Sequence, residues 1–383
     1  MWNMNGWQRH AVALCVACGL SAAATTGSST LWGQTAALGE LSESGTAPLP
    51  SADTGEDDRL PMGLATWITK YPGVAGAKDR LAAGNREEAM RQLLTAVEDH
   101  PELPQAEVIL AEFYFAARQP AAAVAALDRA AVQMPADPEP YLILANFAFT
   151  QNRNTDARVL FDKAATLVKD LKAVPEKRDR ILVRLHAGQA SVAERADAWE
   201  RAIPHLEAWI KADPKNPAAR VRLARALFRT NQGKAAYVQA QQAAEMNENF
   251  ARAPVMIAQF YAEMGKNDLA AKWLTEAEKR YGEDLNTRLL LAEREWREGR
   301  PAEAKRHVTA ANKIDPKSPK VALLAGMIAH LEHNYAAAQK NFERARQSAP
   351  DDFQPRNHLA MVLAAQGGAD NLDQALRLAQ ANR

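Results

Sequence analysis

The chain has 383 residues, 47% of them apolar and only 7% aromatic, with 47 basic side chains against 46 acidic ones and a formal net charge of +1. Balanced charge gives no electrostatic reason to invoke a nucleic-acid partner or an anionic membrane surface. Both cysteines, Cys15 and Cys18, lie in one N-terminal apolar run, so the rest of the chain has neither disulfides nor thiol chemistry to draw on.

Residues 1–34 read as a signal peptide or apolar leader. Arg9 precedes an apolar run over 11–24, and the small polar residues 25–29 follow. That order predicts export, with cleavage after about residue 24, and a periplasmic or extracellular location. The bland alternative is a disordered, alanine-rich leader. A permanent span needs about 20 apolar residues, more than this run offers, so no transmembrane helix is expected after cleavage. A lipid anchor at Cys18 fits poorly, because Cys15 stands where a lipobox carries leucine. Residues 35–66 read as a disordered linker. The stretch 40–59 mixes Ser, Gly, Pro, Asp and Glu and has too little apolar surface to offset its chain entropy.

From residue 67 to 383 the chain is periodic. Alanine returns every 34 residues at Ala89, Ala123 and Ala157, then at Ala236, Ala270, Ala304 and Ala338. A second set lies seven residues on: Ala96, Ala130, Ala164, Ala243, Ala277, Ala311 and Ala345. A third runs Ala111, Ala145, Ala224, Ala258, Ala292, Gly326 and Ala360. Ladders in register mean one structural unit copied along the chain, and a period in this range means a stacked array, to which the usual count of two or three domains does not apply.

Each unit reads as two helices. In the unit starting near Pro104, Leu110, Ala111 and Tyr114 mark one amphipathic stretch, and Ala123, Leu127 and Ala130 mark another. Gly84, Gly265, Gly299 and Gly367 sit at one turn position, where positive φ is cheap for glycine. Pro101, Pro135, Pro316 and Pro350 close the units. These features together resemble the tetratricopeptide repeat family. The resemblance implies an all-α fold, an α-α superhelix built as a right-handed solenoid of helix-turn-helix repeats. About nine units begin near Lys70, Pro104, Pro138, Val183, Pro217, Ala251, Leu285, Pro319 and Phe353.

Three departures stand out. Ala157 to Ala236 spans 79 residues, so one irregular unit near 170–216 carries about eleven extra residues, expected as lengthened helices around 178–186 and 193–212, with Trp209 in place of the last small residue. The first unit has a weak leading helix interrupted by Tyr71, Pro72 and Gly73. The last contains an apparent insertion over 367–371 and reads as a truncated repeat ending inside its second helix.

Catalytic patterns are missing. His330 and His333 are one helical turn apart, but a structural zinc site usually needs four ligands. No phosphate loop follows a strand pattern and no serine sits in a nucleophile elbow. The chain therefore reads as a non-enzyme without metal or cofactor.

What remains is surface. The resemblance implies that the first helix of each unit lines a concave wall that takes a peptide or a partner helix. Inward positions by register are Glu112, Phe115, Asn146, Phe149, Arg222, Arg225, Phe228, Arg229, Gln259, Glu263, Glu293 and Trp296, and then His330. Phe115, Phe149, Phe228 and Trp296 share one position and would offer flat apolar anchors, the alternative being packing on the next helix. Arg222, Arg225 and Arg229 share one helical face and could grip a carboxylate or phosphate, the alternative being a solvated basic face. The expected function is an exported scaffold or adaptor with a protein or peptide partner. The alternatives are a subunit of an envelope machine for polysaccharide export, pilus assembly or outer-membrane biogenesis, or the N-terminal part of a longer enzyme.

Overall fold

The computed structural model describes residues 63–247 and 250–381. The predicted leader, and the predicted linker up to residue 62, lie outside the described residues. Among the described residues there are nineteen α-helices and no strand. They fall into two compact units. The first holds α1 (Leu64–Lys70) and five helix pairs: α2 (Pro72–Ala82) with α3 (Arg86–Asp99), α4 (Ala106–Ala116) with α5 (Pro120–Gln133), α6 (Glu139–Thr150) with α7 (Asn154–Val168), α8 (Pro175–Arg195) with α9 (Trp199–Ala212), and α10 (Pro217–Arg229) with α11 (Gly233–Met246). The second holds four: α12 (Ala253–Glu263) with α13 (Asn267–Tyr281), α14 (Leu285–Arg297) with α15 (Pro301–Ile314), α16 (Pro319–Leu331) with α17 (Tyr335–Ser348), and α18 (Phe353–Gln366) with α19 (Ala369–Gln380). The chain is an all-α array of helix pairs in which each pair packs on the next within its unit.

The alanine ladders are the seams of these pairs. Every member is buried. A methyl or a hydrogen lets two helix backbones approach where a larger side chain would hold them apart. Gly326 takes the alanine position in α16, and a Cβ built there would stand 2.5 Å from the ring of buried Phe342. Gly188 in α8, two residues before the ladder position, gives a similar close approach: a Cβ built there would stand 2.1 Å from the Phe161 ring. Buried Ala77, Ala190 and Ala202 extend the ladders into the first and the irregular pairs.

Each pair turns through one left-handed residue. It is glycine at 84, 265, 299 and 367, with φ between 70° and 80°, and a non-glycine at Arg118, Asn152, Asp197, Asn231 and His333, with φ between 51° and 60°. These residues keep the 34-residue stride except between Asn152 and Asp197, which are 45 apart. The eleven extra residues therefore lie before Asp197. Most of them go into α8, 21 residues long where the first helices of the other pairs have 11 to 14, whereas α9 has the ordinary 14. This corrects the expectation of two lengthened helices: the stretch 193–212 is broken at 196–198, where Ala198 N donates to the carbonyl of Ala193 (2.9 Å) and closes the turn.

Two other expectations change. The predicted linker runs to residue 66, but α1 starts at Leu64, because Leu64 and Trp67 bury against Tyr71 and Val74. The segment 367–371 is not an insertion. Helix α19 begins two residues after the left-handed residue, as the second helix of every pair does. What differs is the side chains: Leu372 stands at the ladder position, and Ala375 is the fully buried residue.

Candidate functional site

The long α8 decides what the first unit offers a partner. Its first three turns present Lys177, Arg180 and Arg184 at i, i+3 and i+7, on one helical face. That face lies against acidic and carbonyl groups at the starts and inner registers of the preceding pairs. Arg180 donates to the backbone oxygen of Glu102 (2.8 Å) and to Glu139 Oε1 (2.9 Å), with its guanidinium 5.5 Å from the Trp67 ring. Lys177 Nζ lies 3.4 Å from Glu139 and 3.9 Å from Asp137. Arg184 pairs with Glu112 at 3.4 Å, the two side chains only 5% and 1% exposed. Asp137 is itself held by Gln105, which donates at 2.7 Å, and caps the backbone N–H of Glu139 (2.9 Å). Desolvation pushes the Glu112 carboxyl up to about 7, against the pull of Arg184, and its Oε2 is buried without a hydrogen-bond partner among the described residues.

The predicted inner positions of this unit are largely committed within the chain. Glu112 is buried under Arg184. Phe115 is half-buried, tilted on Phe147 with centroids 5.1 Å apart. Asn146 is half-buried. Phe149 is half-buried beneath the Arg195 guanidinium, 3.5 Å from its ring centre, and Arg195 Nη1 also donates to the carbonyl of Phe149 (2.9 Å). On α10, Arg222 grips Glu194 (3.0 Å), donates to Ser191 Oγ (2.9 Å) and lies 5.2 Å over Trp209. Arg229 pairs with Asp197 (3.3 Å) and covers the Trp199 ring at 5.0 Å. Arg225 is half-buried, and Phe228 is buried in the core rather than displayed. The arginine face of α10 is thus used inside the unit: Glu194 and Ser191, at the C-terminal end of α8 in the ordinary register, meet Arg222, and Trp209 fills the joint where other pairs carry alanine.

The second unit differs. Gln259, Glu263, Glu293, Trp296 and His330 are all half-buried at inner-register positions. Glu293 and Trp296 sit one turn apart on α14. Trp296 leans on the core of Leu289, Ala292 and Val308. Glu293 has no hydrogen bond or ion pair among the described residues, and burial raises its pKa against the opposing charges of Lys320 and Arg297. His330 lies 5.7 Å from the Tyr335 ring, and burial lowers its pKa, with His333 adding to the effect. Among the described residues no group of three or more His, Cys, Asp or Glu side chains is placed to hold a metal ion, and no helix is long and apolar enough to cross a membrane.

The left-handed turn and the paired helices recur in every described copy, and the buried alanine trio in most of them. Tetratricopeptide repeat models match residues 74–139, 114–170 and 194–240. The chain is a tetratricopeptide repeat protein. No curated protein matches the sequence. Solved structures that it is similar to include PilF of Pseudomonas aeruginosa (19% identity, 60% of this chain and 99% of that one, TM-score 0.38). PilW, a widely conserved type IV pilus biogenesis factor, matches at 16% identity over 55% of this chain and 92% of that one, TM-score 0.38. A tetratricopeptide repeat protein from Parabacteroides merdae matches at 13% identity over 79% of this chain and 100% of that one, TM-score 0.35. Lys177, Arg180, Glu139 and Asp137 escape a register-based reading of this tetratricopeptide repeat chain. The signals that could have found them are the basic i, i+3, i+7 stripe and its position inside the eleven extra residues.

Proposed function

We propose that this tetratricopeptide repeat protein is an exported, non-enzymatic scaffold that binds a protein or peptide on the inner-register face of its first helices, with Glu293 and Trp296 as the principal contacts. One contrast carries the reading. In the first unit Glu112, Arg222 and Arg229 have ion-pair partners within the chain, whereas in the second unit Glu293 is partly desolvated and makes no hydrogen bond or ion pair among the described residues. A carboxylate so placed gains most from a cation brought by a ligand, and a half-buried indole beside it supplies apolar area. Export rests on the sequence of residues 1–34. Crosslinking capture from the source cell, with the full chain as bait, identifies the partner. Trp296→Ala and Glu293→Gln are then each expected to weaken that partner at least tenfold. Equal affinity for wild type and both variants would remove α14 from the binding face. Fractionation of the source cell tests export, and a cytoplasmic pool alone would contradict it.

A further inference from the structure

In the first unit the inner-register face of α4 and α6 already has an occupant, and that occupant is part of the chain. Residues 175–184 of α8 supply a helix with cations at i, i+3 and i+7. Glu112, Asp137 and Glu139, with the Glu102 carbonyl, supply the receiving surface. Two observations show that the match leaves capacity over. Glu112 Oε2 is buried without a hydrogen-bond donor among the described residues. The Lys177 contacts, at 3.4 and 3.9 Å, are longer than a good charge-assisted hydrogen bond. The cationic face of the segment does not serve the repeat that contains it: the turn at Asp197 and the buried Ala190 keep their register with α9, and the extra length extends N-terminal to that register. The segment's other face places Ile181 in the core of α6 and α7, so displacement must also lift that side chain. The outer end of the segment is held at the surface, by the exposed Lys70–Glu176 pair at 3.3 Å.

We propose that the acidic face formed by Glu102, Glu112, Asp137 and Glu139 is a docking surface for a basic helix, which residues 175–184 fill in cis until a partner helix with Lys or Arg at i, i+3 and i+7 replaces them. Charge complementarity selects the partner, and helical spacing sets its register. A tethered segment competes at an effective concentration of the order of millimolar, so an outside helix sees an affinity reduced by the fraction of chains with the segment displaced. The chain therefore answers to a partner held at high local concentration or offering better-placed cations, and ignores scattered basic peptides.

The test uses the full chain and a fluorescein-labelled synthetic peptide of residues 172–189. Wild type is expected to bind this peptide weakly. The variant Lys177→Ala/Arg180→Ala, which leaves the buried Arg184–Glu112 pair intact, is expected to bind it at least tenfold tighter. A control peptide with alanine at the three cations is expected not to bind. A folded variant with wild-type affinity overturns the proposal. So does a variant that forms a concentration-dependent dimer in place of binding peptide, since the face then belongs to a second copy. If the variant loses its helical dichroism, hydrogen exchange on wild type decides. Saturating peptide must speed exchange of amides 178–184 several-fold while 189–195 stay unchanged, and exchange that does not respond overturns the proposal.

Discussion

Arg184 and Glu112, 72 residues apart in sequence, meet at 3.4 Å in an interior where neither is more than 5% exposed. A buried ion pair contributes little net stability, but removing one partner strands a charge and costs about 3–5 kcal/mol. Arg184→Leu is expected to destabilise the first unit by about that amount at pH 8. The cost shrinks at pH 5.5, because a carboxyl already pushed up to about 7 can then take a proton and become neutral. The double variant Glu112→Leu/Arg184→Leu is expected to return to within about 1 kcal/mol of wild type. Urea midpoints for the four proteins of this cycle measure the coupling. Simply additive losses, with no recovery in the double variant, would show that the two side chains do not act as a pair.

Two glycines separate packing from backbone conformation. Gly326→Ala puts a methyl 2.5 Å from the Phe342 ring and Gly188→Ala puts one 2.1 Å from the Phe161 ring. Both rings are buried, so neither can swing clear. Each change is expected to cost about 1–3 kcal/mol through overpacking, and Phe342→Leu is expected to recover part of the Gly326→Ala loss. Gly265→Ala meets nothing within 4 Å, and its cost comes only from φ of 70°, about 1 kcal/mol. Thermal midpoints should therefore move least for Gly265→Ala. The reverse order would mean that the close helix approaches do not exist.

The left-handed turn residues offer a gain in stability. Arg118 has φ of 57° in a position that four other turns give to glycine. Arg118→Gly relieves that strain while adding freedom to the unfolded chain, for a net gain of up to about 1 kcal/mol. Asn152→Gly should gain less, because asparagine tolerates the left-handed region better than arginine does. The two midpoints, read against wild type, check both sign and order. A fall at Arg118 would mean that the turn does not hold this conformation.

The pairing of helices was legible in the sequence because small side chains are required wherever two backbones cross closely, and the crossing recurs at a constant stride. Gly326 shows how far that goes: it breaks the alanine pattern, yet it serves the same need for space, more strictly. The commitment of the first unit's inner face was not legible. Register assigns Glu112 and Arg222 to a wall, but it does not say which helix lies across the wall. That depends on where eleven added residues go. The 45-residue step locates them only to a repeat, and the left-handed Asp197 puts all of them before the turn and most of them into α8. Charged pairs 41 and 72 residues apart, Arg180 with Glu139 and Arg184 with Glu112, follow from that placement and from no local pattern. Phe228 shares a register position with Phe115 and Phe149 but is buried, so equal register does not mean equal exposure.

Acid should loosen the second unit through its histidines. His358 stacks on Phe342 with ring centroids 5.2 Å apart, and burial, aided by His330, lowers its pKa to about 4. His307 and His330 are also lowered, burial being the main cause in each. A histidine with a depressed folded pKa binds fewer protons folded than unfolded, so stability rises with pH across that interval and is lost as pH falls from 6.5 towards 4. For His358 alone the loss between pH 7 and pH 5 is on the order of 2 kcal/mol, one pKa unit being about 1.4 kcal/mol. His358→Phe keeps the stack and cannot titrate. The thermal midpoint of wild type is expected to fall on acidification to pH 5 by several degrees more than that of His358→Phe. Parallel pH profiles for the two proteins would mean that His358 is solvated well enough to ionise in place.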